Sequence, residues 1–427
     1  MTNKANILKR AAGSTFLRHN AIYFGGATLV SFLNYLYYPV VSRLLAPAEF
    51  GEVQAIISFF LQAGVFLQVL GLVTIGVIKR YEHGPQRAEI IAEIERLALM
   101  IGLVLFALVV VMSRPLQVFL NFSSLVPFLL FALSVLIGIP LAFSNSYLQG
   151  HQRFGWLARS NMLAASSKLV LSVGLLLVGL RAAGAVLGVV LSQVVALGYS
   201  LWRARQLGRP RLQWWVGRPR LALIRPELRY AGLVLVTSLC VNVLLSVDII
   251  AVKHYFDPAQ AGLYAGIATV ARIIFFLTGP LSAVLIASVA LGQHVENRRL
   301  LLRSAGLTTL LGGGALAAFA LAPMLIVRLL IGAKYLAYAN LLPPLSLAIF
   351  LLSLANLLVY YYVALRRYAV AGIAVLSLAG TSVLLATQHQ SLAAVVQSLL
   401  EGSFGLLLLV MLLGLWRPVA KGEIQHG

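Results

Sequence analysis

Twelve apolar runs, each long enough to cross a bilayer as a helix, constrain this chain more than any other feature. A spanning helix needs about 20 predominantly apolar residues. Runs of that kind, bounded by charge or turn residues, fall at 21–42, 52–78, 97–113, 125–148, 160–180 and 184–202, and again at 230–252, 262–291, 304–327, 340–364, 369–388 and 391–416. Hydrocarbon offers no water to satisfy backbone N–H and C=O groups, so such runs must close their hydrogen bonds internally as helices. The fold class that follows is an all-α polytopic membrane protein with about 12 transmembrane helices. A composition of 60% hydrophobic and 11% charged residues excludes a soluble globular protein of this length.

Residues 203–229, RARQLGRPRLQWWVGRPRLALIRPELR, divide six runs from six and carry eight arginines against one glutamate. That charge density cannot sit in hydrocarbon, and Pro210, Pro219 and Pro226 forbid one continuous helix. The segment therefore reads as a basic cytoplasmic linker between an N-terminal lobe, 1–202, and a C-terminal lobe, 230–427. Trp214 and Trp215 among the arginines predict that part of it rests on anionic membrane lipids, since indoles favour the headgroup level. Basic residues elsewhere agree with that orientation. With both termini in the cytoplasm, 25 lysines and arginines fall on the cytoplasmic side of the spans and six on the other. The net charge of +21 is thus a topological signal, and a nucleic-acid partner is not expected.

Several classes of chemistry lack their residues. Cys240 is the single cysteine, and His19, His83, His151, His254, His294, His389 and His426 are scattered through loops and tails, so no metal site and no disulfide are expected. No P-loop, dinucleotide fingerprint or HExxH occurs, so nothing indicates ATP hydrolysis or zinc chemistry, no cofactor is expected, and any energy input comes from gradients. The first apolar run, beginning near Ala21, is long enough to remain as helix one rather than a cleaved signal. Residues 82–96 place Ile90, Ile91 and Ile94 on one helical face. They read as a cytoplasmic surface helix leading into span three, or as an extension of that span.

The chain also echoes itself. RLLAPAEFGEVQA, 43–55, shares its punctuation with HYFDPAQAGLYAG, 254–266: Pro47 matches Pro258 and Gly51 matches Gly262, both at an offset of 211. Arg153-Phe154 and Arg367-Tyr368 repeat at an offset of 214. Near-equal offsets at two boundaries, with six spans on each side, predict a duplicated six-helix unit. Six is even, so both copies enter from one side and are related by a pseudo-two-fold along the membrane normal. Proline is expected to stop one helix here and glycine to permit the turn into the next.

These residues resemble the polysaccharide transporter, or lipid-linked oligosaccharide flippase, family of the multidrug/oligosaccharidyl-lipid/polysaccharide (MOP) exporter superfamily. RLLAPAEFG is similar to that family's exit from helix one. Asp248-Ile249-Ile250 followed by DPAQAGLYAGIA resembles its passage from helix seven into helix eight. YLQGHQRFGW, 147–156, resembles the loop after helix four, and IGAKYLAYANLLPPL, 331–345, the loop before helix ten. The resemblance covers nearly the whole chain. It implies two six-helix lobes that rock about a central cavity lined by helices one, two, seven and eight. It also implies a polyprenyl-pyrophosphate-linked oligosaccharide as substrate and other polysaccharide-assembly enzymes as partners. The fourteen-helix members, which handle the peptidoglycan precursor, have two further C-terminal spans, and that argues against the same substrate here.

Charged side chains inside spans are costly and are functional candidates by default. Arg272 lies ten residues into span eight, about 15 Å deep, and shares a helical face with Thr269. Facing the cavity it would hold a pyrophosphate by paired hydrogen bonds; a structural ion pair is the competing role. Glu401, at the same depth in span twelve, would pair with Arg272 or carry a proton. Asp248, near the outer end of span seven, is a gate or ion-site candidate, and Lys168 in span five would add positive charge to the cavity. Arg18 and Arg43 bracket span one at its inner and outer mouths. Asn34 and Tyr37 in span one and Gln54 in span two offer hydrogen bonds and stacking to sugars, or polar contacts between helices.

The expectation is a multi-pass flippase of the bacterial cytoplasmic (inner) membrane that moves a lipid-linked oligosaccharide outward for surface polysaccharide biosynthesis. A cation-coupled multidrug exporter of the same superfamily is the alternative. A membrane-embedded polysaccharide polymerase or ligase is another, although the longest predicted outer loop is too short for an acceptor-binding domain.

Overall fold

Helices form throughout because the apolar runs leave the backbone no other hydrogen-bond partner. The computed structural model describes residues 29–81, 84–209, 225–289 and 293–416. Helix α1 covers 29–44. The first half continues with α2 (Pro47–Arg80), α3 (Pro85–Phe119), α4 (Val126–Gly150), α5 (Phe154–Leu177) and α6 (Arg181–Gln206). The second half has α7 (Arg225–Leu244), α8 (Val247–Tyr255), α9 (Pro258–Ala271), α10 (Ile273–Ser288), α11 (His294–Leu321) and α12 (Pro323–Leu330). A 3₁₀ segment, Ala333–Leu341, leads into α13 (Leu342–Ala364), followed by α14 (Ala369–Thr387) and α15 (Leu392–Trp416). Among the described residues nine helical segments are long and apolar enough to cross a membrane, and two bent pairs raise that number to eleven. Helix α1 corresponds to the remaining expected span, whose earlier part lies outside the described residues.

Two of the expected spans are bent. In runs 230–252 and 262–291, α7 and α8 meet at 45° and α9 and α10 at 40°. Neither break contains proline; Ser246 stands at one and Arg272 at the other. Pro115, Pro140 and Pro280 are meanwhile carried inside α3, α4 and α10.

The chain forms two compact units. The first comprises Met1–Leu44, Leu70–Arg114 and Leu125–Leu223. Within it α6 lies close against α5: a Cβ on Gly188 would come within 2.5 Å of the Ser172 backbone nitrogen. Helix α3 begins with the expected apolar face, Ile90, Ile91 and Ile94 buried and Glu89 exposed, and continues unbroken into the span. Beyond the end of α6, Arg209 is buried against the Glu95 carboxylate and the Ser144 hydroxyl, and it donates to the Pro140 carbonyl at 3.3 Å. Burial pushes this guanidinium below its ordinary pKa, and the Glu95 charge opposes the shift. Helices α6 and α7 run into the expected linker from either side; residues 210–224, with Trp214 and Trp215, lie outside the described part.

The second unit comprises Leu45–Val69, Pro115–Ser124 and Ile224–Gly427. Helix α13 is its centre, packed by α9, α10, α11 and α15. Division by contacts thus differs from division by sequence, since the start of α2 and the α3–α4 connection join the second half. Helices α2 and α9 start alike, each with proline as first residue, where the missing N–H costs nothing. Asp257 caps α9 through the N–H groups of Ala259 and Gln260, at 2.9 and 3.4 Å. Glu49 accepts the Ala46 N–H at 3.3 Å ahead of α2. Gly51 and Gly262 do not form turns, as the sequence suggested; each is the fifth residue of its helix, where the helices cross. A Cβ on Gly51 would stand 2.9 Å from Gly262 Cα, and one on Gly262 only 1.7 Å from the Pro47 carbonyl oxygen. The repeated glycines permit close approach.

Candidate functional site

Each break in a bent span frees backbone groups, and in a membrane those groups require protein partners. Arg272, where α9 gives way to α10, donates through Nε to the Leu245 carbonyl at the end of α7, 2.8 Å away. Its Nη2 reaches Asp248 Oδ1 at 2.6 Å, and Tyr264 donates its hydroxyl to Asp248 Oδ2 at 2.8 Å. Asp248 is 0% and Arg272 5% exposed. The two bends are therefore tied by one satisfied ion pair. Arg272 does not meet Glu401, the partner suggested by equal depth. Asp248 is buried within the protein. The sequence held a signal for this pair: Asp248 is the one charged residue of run 230–252 and Arg272 that of run 262–291, and opposite charges in hydrocarbon find each other.

Lys168 has no such partner. In α5 its Nζ donates to Asn34 Oδ1 of α1 at 2.6 Å and stands 4.7 Å from the centre of the Tyr37 ring. Tyr37 is buried and held in place, its hydroxyl donating to the Ala185 carbonyl of α6 at 3.3 Å. Three of the expected cavity residues, Lys168, Asn34 and Tyr37, thus come together within the first unit. No acidic side chain pairs with Lys168 among the described residues, and the lysine is only half-buried. An ammonium with three donors, one of them used by a neutral amide, can receive an anion without first breaking an ion pair.

A third cluster lies in the second unit near the starts of α2 and α9. Glu52 accepts the Ser123 N–H at 2.7 Å and its hydroxyl at 3.1 Å. Lys253, 1% exposed, donates to the Asn121 carbonyl at 3.2 Å, and Asn121 returns a hydrogen bond to the Lys253 carbonyl at 3.3 Å. Lys334 donates to the Leu45 carbonyl. Glu52, Lys253 and Lys334 were not among the expected site residues, because helix-end charges look alike whether they anchor to headgroups or bridge helices.

The remaining candidates separate from these clusters. Thr269 donates back to the Ala265 carbonyl of its own helix at 2.8 Å. Gln54 is 2% exposed and its Nε2 has no hydrogen-bond partner among the described residues. Eight residues on, Gln62 bonds to the Asn242 carbonyl at 3.2 Å and to Ser246 at 3.0 Å. Glu401 is exposed on α15 and accepts from Gln397 at 3.0 Å. Arg43 is exposed at the end of α1, and Arg18 lies outside the described residues. Among the described residues no group of acidic, histidine and cysteine side chains is arranged to hold a metal ion.

This architecture is found in known transporters. An inward-facing multidrug resistance MATE family transporter of the MOP superfamily superposes with a TM-score of 0.70 at 14% identity, over 91% of this chain and 94% of that one. The lipid II flippase MurJ, in an inward closed conformation, gives 0.71 at 12% identity, over 92% and 87%. The MATE multidrug transporter DinF-BH gives 0.70 at 13%, over 93% and 95%. Identities this low establish the shared fold alone. No curated protein sequence matches the chain. The family model described as "Polysaccharide biosynthesis protein" matches residues 17–290, well over half of the sequence. This multi-pass chain, with the fold of the MATE and MurJ transporters, belongs to the polysaccharide biosynthesis protein family.

Proposed function

We propose that the protein is a flippase carrying a polyprenyl-pyrophosphate-linked oligosaccharide from the cytoplasmic to the outer leaflet, by alternating access of its two lobes. Membership of the polysaccharide biosynthesis family and a fold shared with the MATE and MurJ transporters support a carrier of this kind; the substrate class goes further. The observation that carries it is Lys168, a half-buried cation in the middle of α5 whose described partners are all neutral. A pyrophosphate supplies the missing negative charge, while Asn34 orients the ammonium and the Tyr37 ring backs it. The exporter reading shares the fold, but an organic cation would meet Lys168 as a like charge.

Arg272 then acts through the backbone: neutralised by Asp248, it keeps two bent spans in register. The cluster around Glu52, Lys253 and Lys334, with the Gly51–Gly262 crossing, ties the starts of α2 and α9 to the α3–α4 connection within the second unit. Glu401, an exposed carboxylate within an apolar span, is the proposed proton carrier.

Binding of polyprenyl pyrophosphate and of the parent polyprenol to the purified protein tests the anion site. The intact protein should prefer the pyrophosphate, and Lys168→Gln should weaken that binding about tenfold or more while leaving the alcohol unaffected. An unchanged preference in Lys168→Gln would remove the anion site from the account.

A further inference from the structure

At the start of α5 and the end of α6, both in the first unit, two arginines share one indole. The Arg203 guanidinium carbon stands 4.8 Å from the centre of the Trp156 ring, 4.0 Å from that of Trp202 and 5.7 Å from that of Tyr199. Arg153 approaches Trp156 from 5.4 Å. Like charges are thus brought to the same ring, and among the described residues neither has an acidic partner. Stacking occupies the face of a guanidinium and leaves its N–H groups free around the rim. Arg203 gives one of them to Gln206 at 3.1 Å, while its Nε is buried without a hydrogen-bond partner. Trp202 beside it is 54% exposed.

Indoles in this situation mark the headgroup level of a bilayer. The excess of basic residues assigns this end to the cytoplasmic leaflet. What such a cluster lacks is an anion with several oxygens in one plane with the guanidinium rims, anchored at headgroup depth. The second unit repeats the theme at its corresponding end: Arg367, the repeat mate of Arg153, lies 5.6 Å from the Tyr362 ring, and Arg229 lies 4.7 Å from that of Tyr368.

The geometry points to a binding site for an acidic phospholipid of the inner leaflet, its phosphodiester held by Arg153 and Arg203 and its upper acyl region lying along Trp202. The site is separate from the Lys168 cluster and does not depend on what the protein transports. It lies on described helices and so adds to the expected contact of the 203–229 segment with anionic lipid.

The tryptophans report on it directly. The full chain with Trp214, Trp215 and Trp416 replaced by phenylalanine, in mixed micelles, is titrated with brominated phosphatidylglycerol or brominated phosphatidylcholine, and tryptophan quenching is read. The anionic lipid should quench at about tenfold lower mole fraction, and Arg153→Gln/Arg203→Gln should abolish that preference at an unchanged melting temperature. Equal quenching by the two lipids in the parent, or a preference that survives the double substitution, overturns the proposal. Should the double variant fail to fold, Arg203→Lys decides: it keeps the charge but loses the planar fork, so a weakened preference supports the site and an unchanged one overturns it. Inorganic phosphate competing as well as a water-soluble phosphatidylglycerol would make this a site for free phosphate and overturn the lipid assignment.

Discussion

Arg272 and Lys168 are both cations within apolar spans, and their neighbours give them opposite work. Arg272 is closed in by Asp248, Tyr264 and the Leu245 carbonyl, so removing one partner strands a buried charge. Such losses cost about 3–5 kcal/mol, whereas replacing both charges together is often close to neutral. We therefore predict that Arg272→Gln and Asp248→Asn each lower the melting temperature in detergent strongly, and that Arg272→Met/Asp248→Leu recovers most of the loss. Additive losses in the double variant would show that the two residues act apart. Lys168→Gln, by contrast, should leave the melting temperature nearly unchanged, because no ion pair is broken. The sequence made both cations visible through their cost in hydrocarbon, and it singled out Asn34 and Tyr37 in span one, but their contact with Lys168 came from the structure. The lone opposite charges of runs 230–252 and 262–291 signalled the Arg272–Asp248 pair, but its geometry at the bends of α7/α8 and α9/α10 was not legible.

Helices were legible in number and approximate position because their signal, a long apolar run, is local. The bends were not, since no proline marks Ser246 or Arg272, and the tertiary partner that replaces the broken backbone bonds lies 27 residues away from Leu245. The repeat was legible as Pro47/Pro258 and Gly51/Gly262, yet its purpose was not: the sequence displays glycine but not what approaches it. At this crossing the two glycines are unequal. Gly262→Ala drives a methyl group into the Pro47 carbonyl and should destabilise the protein by about 1–3 kcal/mol, as overpacking does. Gly51→Ala, whose methyl meets Gly262 Cα at 2.9 Å, should cost less. Hydrogen exchange provides the second readout, and residues 45–55 should exchange faster in Gly262→Ala than in the parent. Equal effects of the two substitutions would mean that the helices separate freely here, and that the close approach is not what the repeated glycines serve.

Across the whole molecule the basic residues predict one orientation, with the connections at Arg153 and Arg366 inside and that at Lys334 outside. On a Cys240→Ser background, a membrane-impermeant thiol reagent added to intact cells should modify Lys334→Cys and leave Arg366→Cys untouched; the reverse pattern would invert the proposed direction of transport. The fold itself does not separate a flippase from a drug exporter, because MATE and MurJ structures superpose on this chain equally well. That distinction rests on the anion site, so leaflet translocation is its most direct test. A fluorescent polyprenyl-pyrophosphate oligosaccharide would be followed in proteoliposomes holding equal amounts of the intact protein or Lys168→Gln. The account predicts transfer by the intact protein and at least a roughly tenfold slower rate in the variant. An intact protein that carries an organic cation and leaves the lipid-linked sugar in its original leaflet would contradict it.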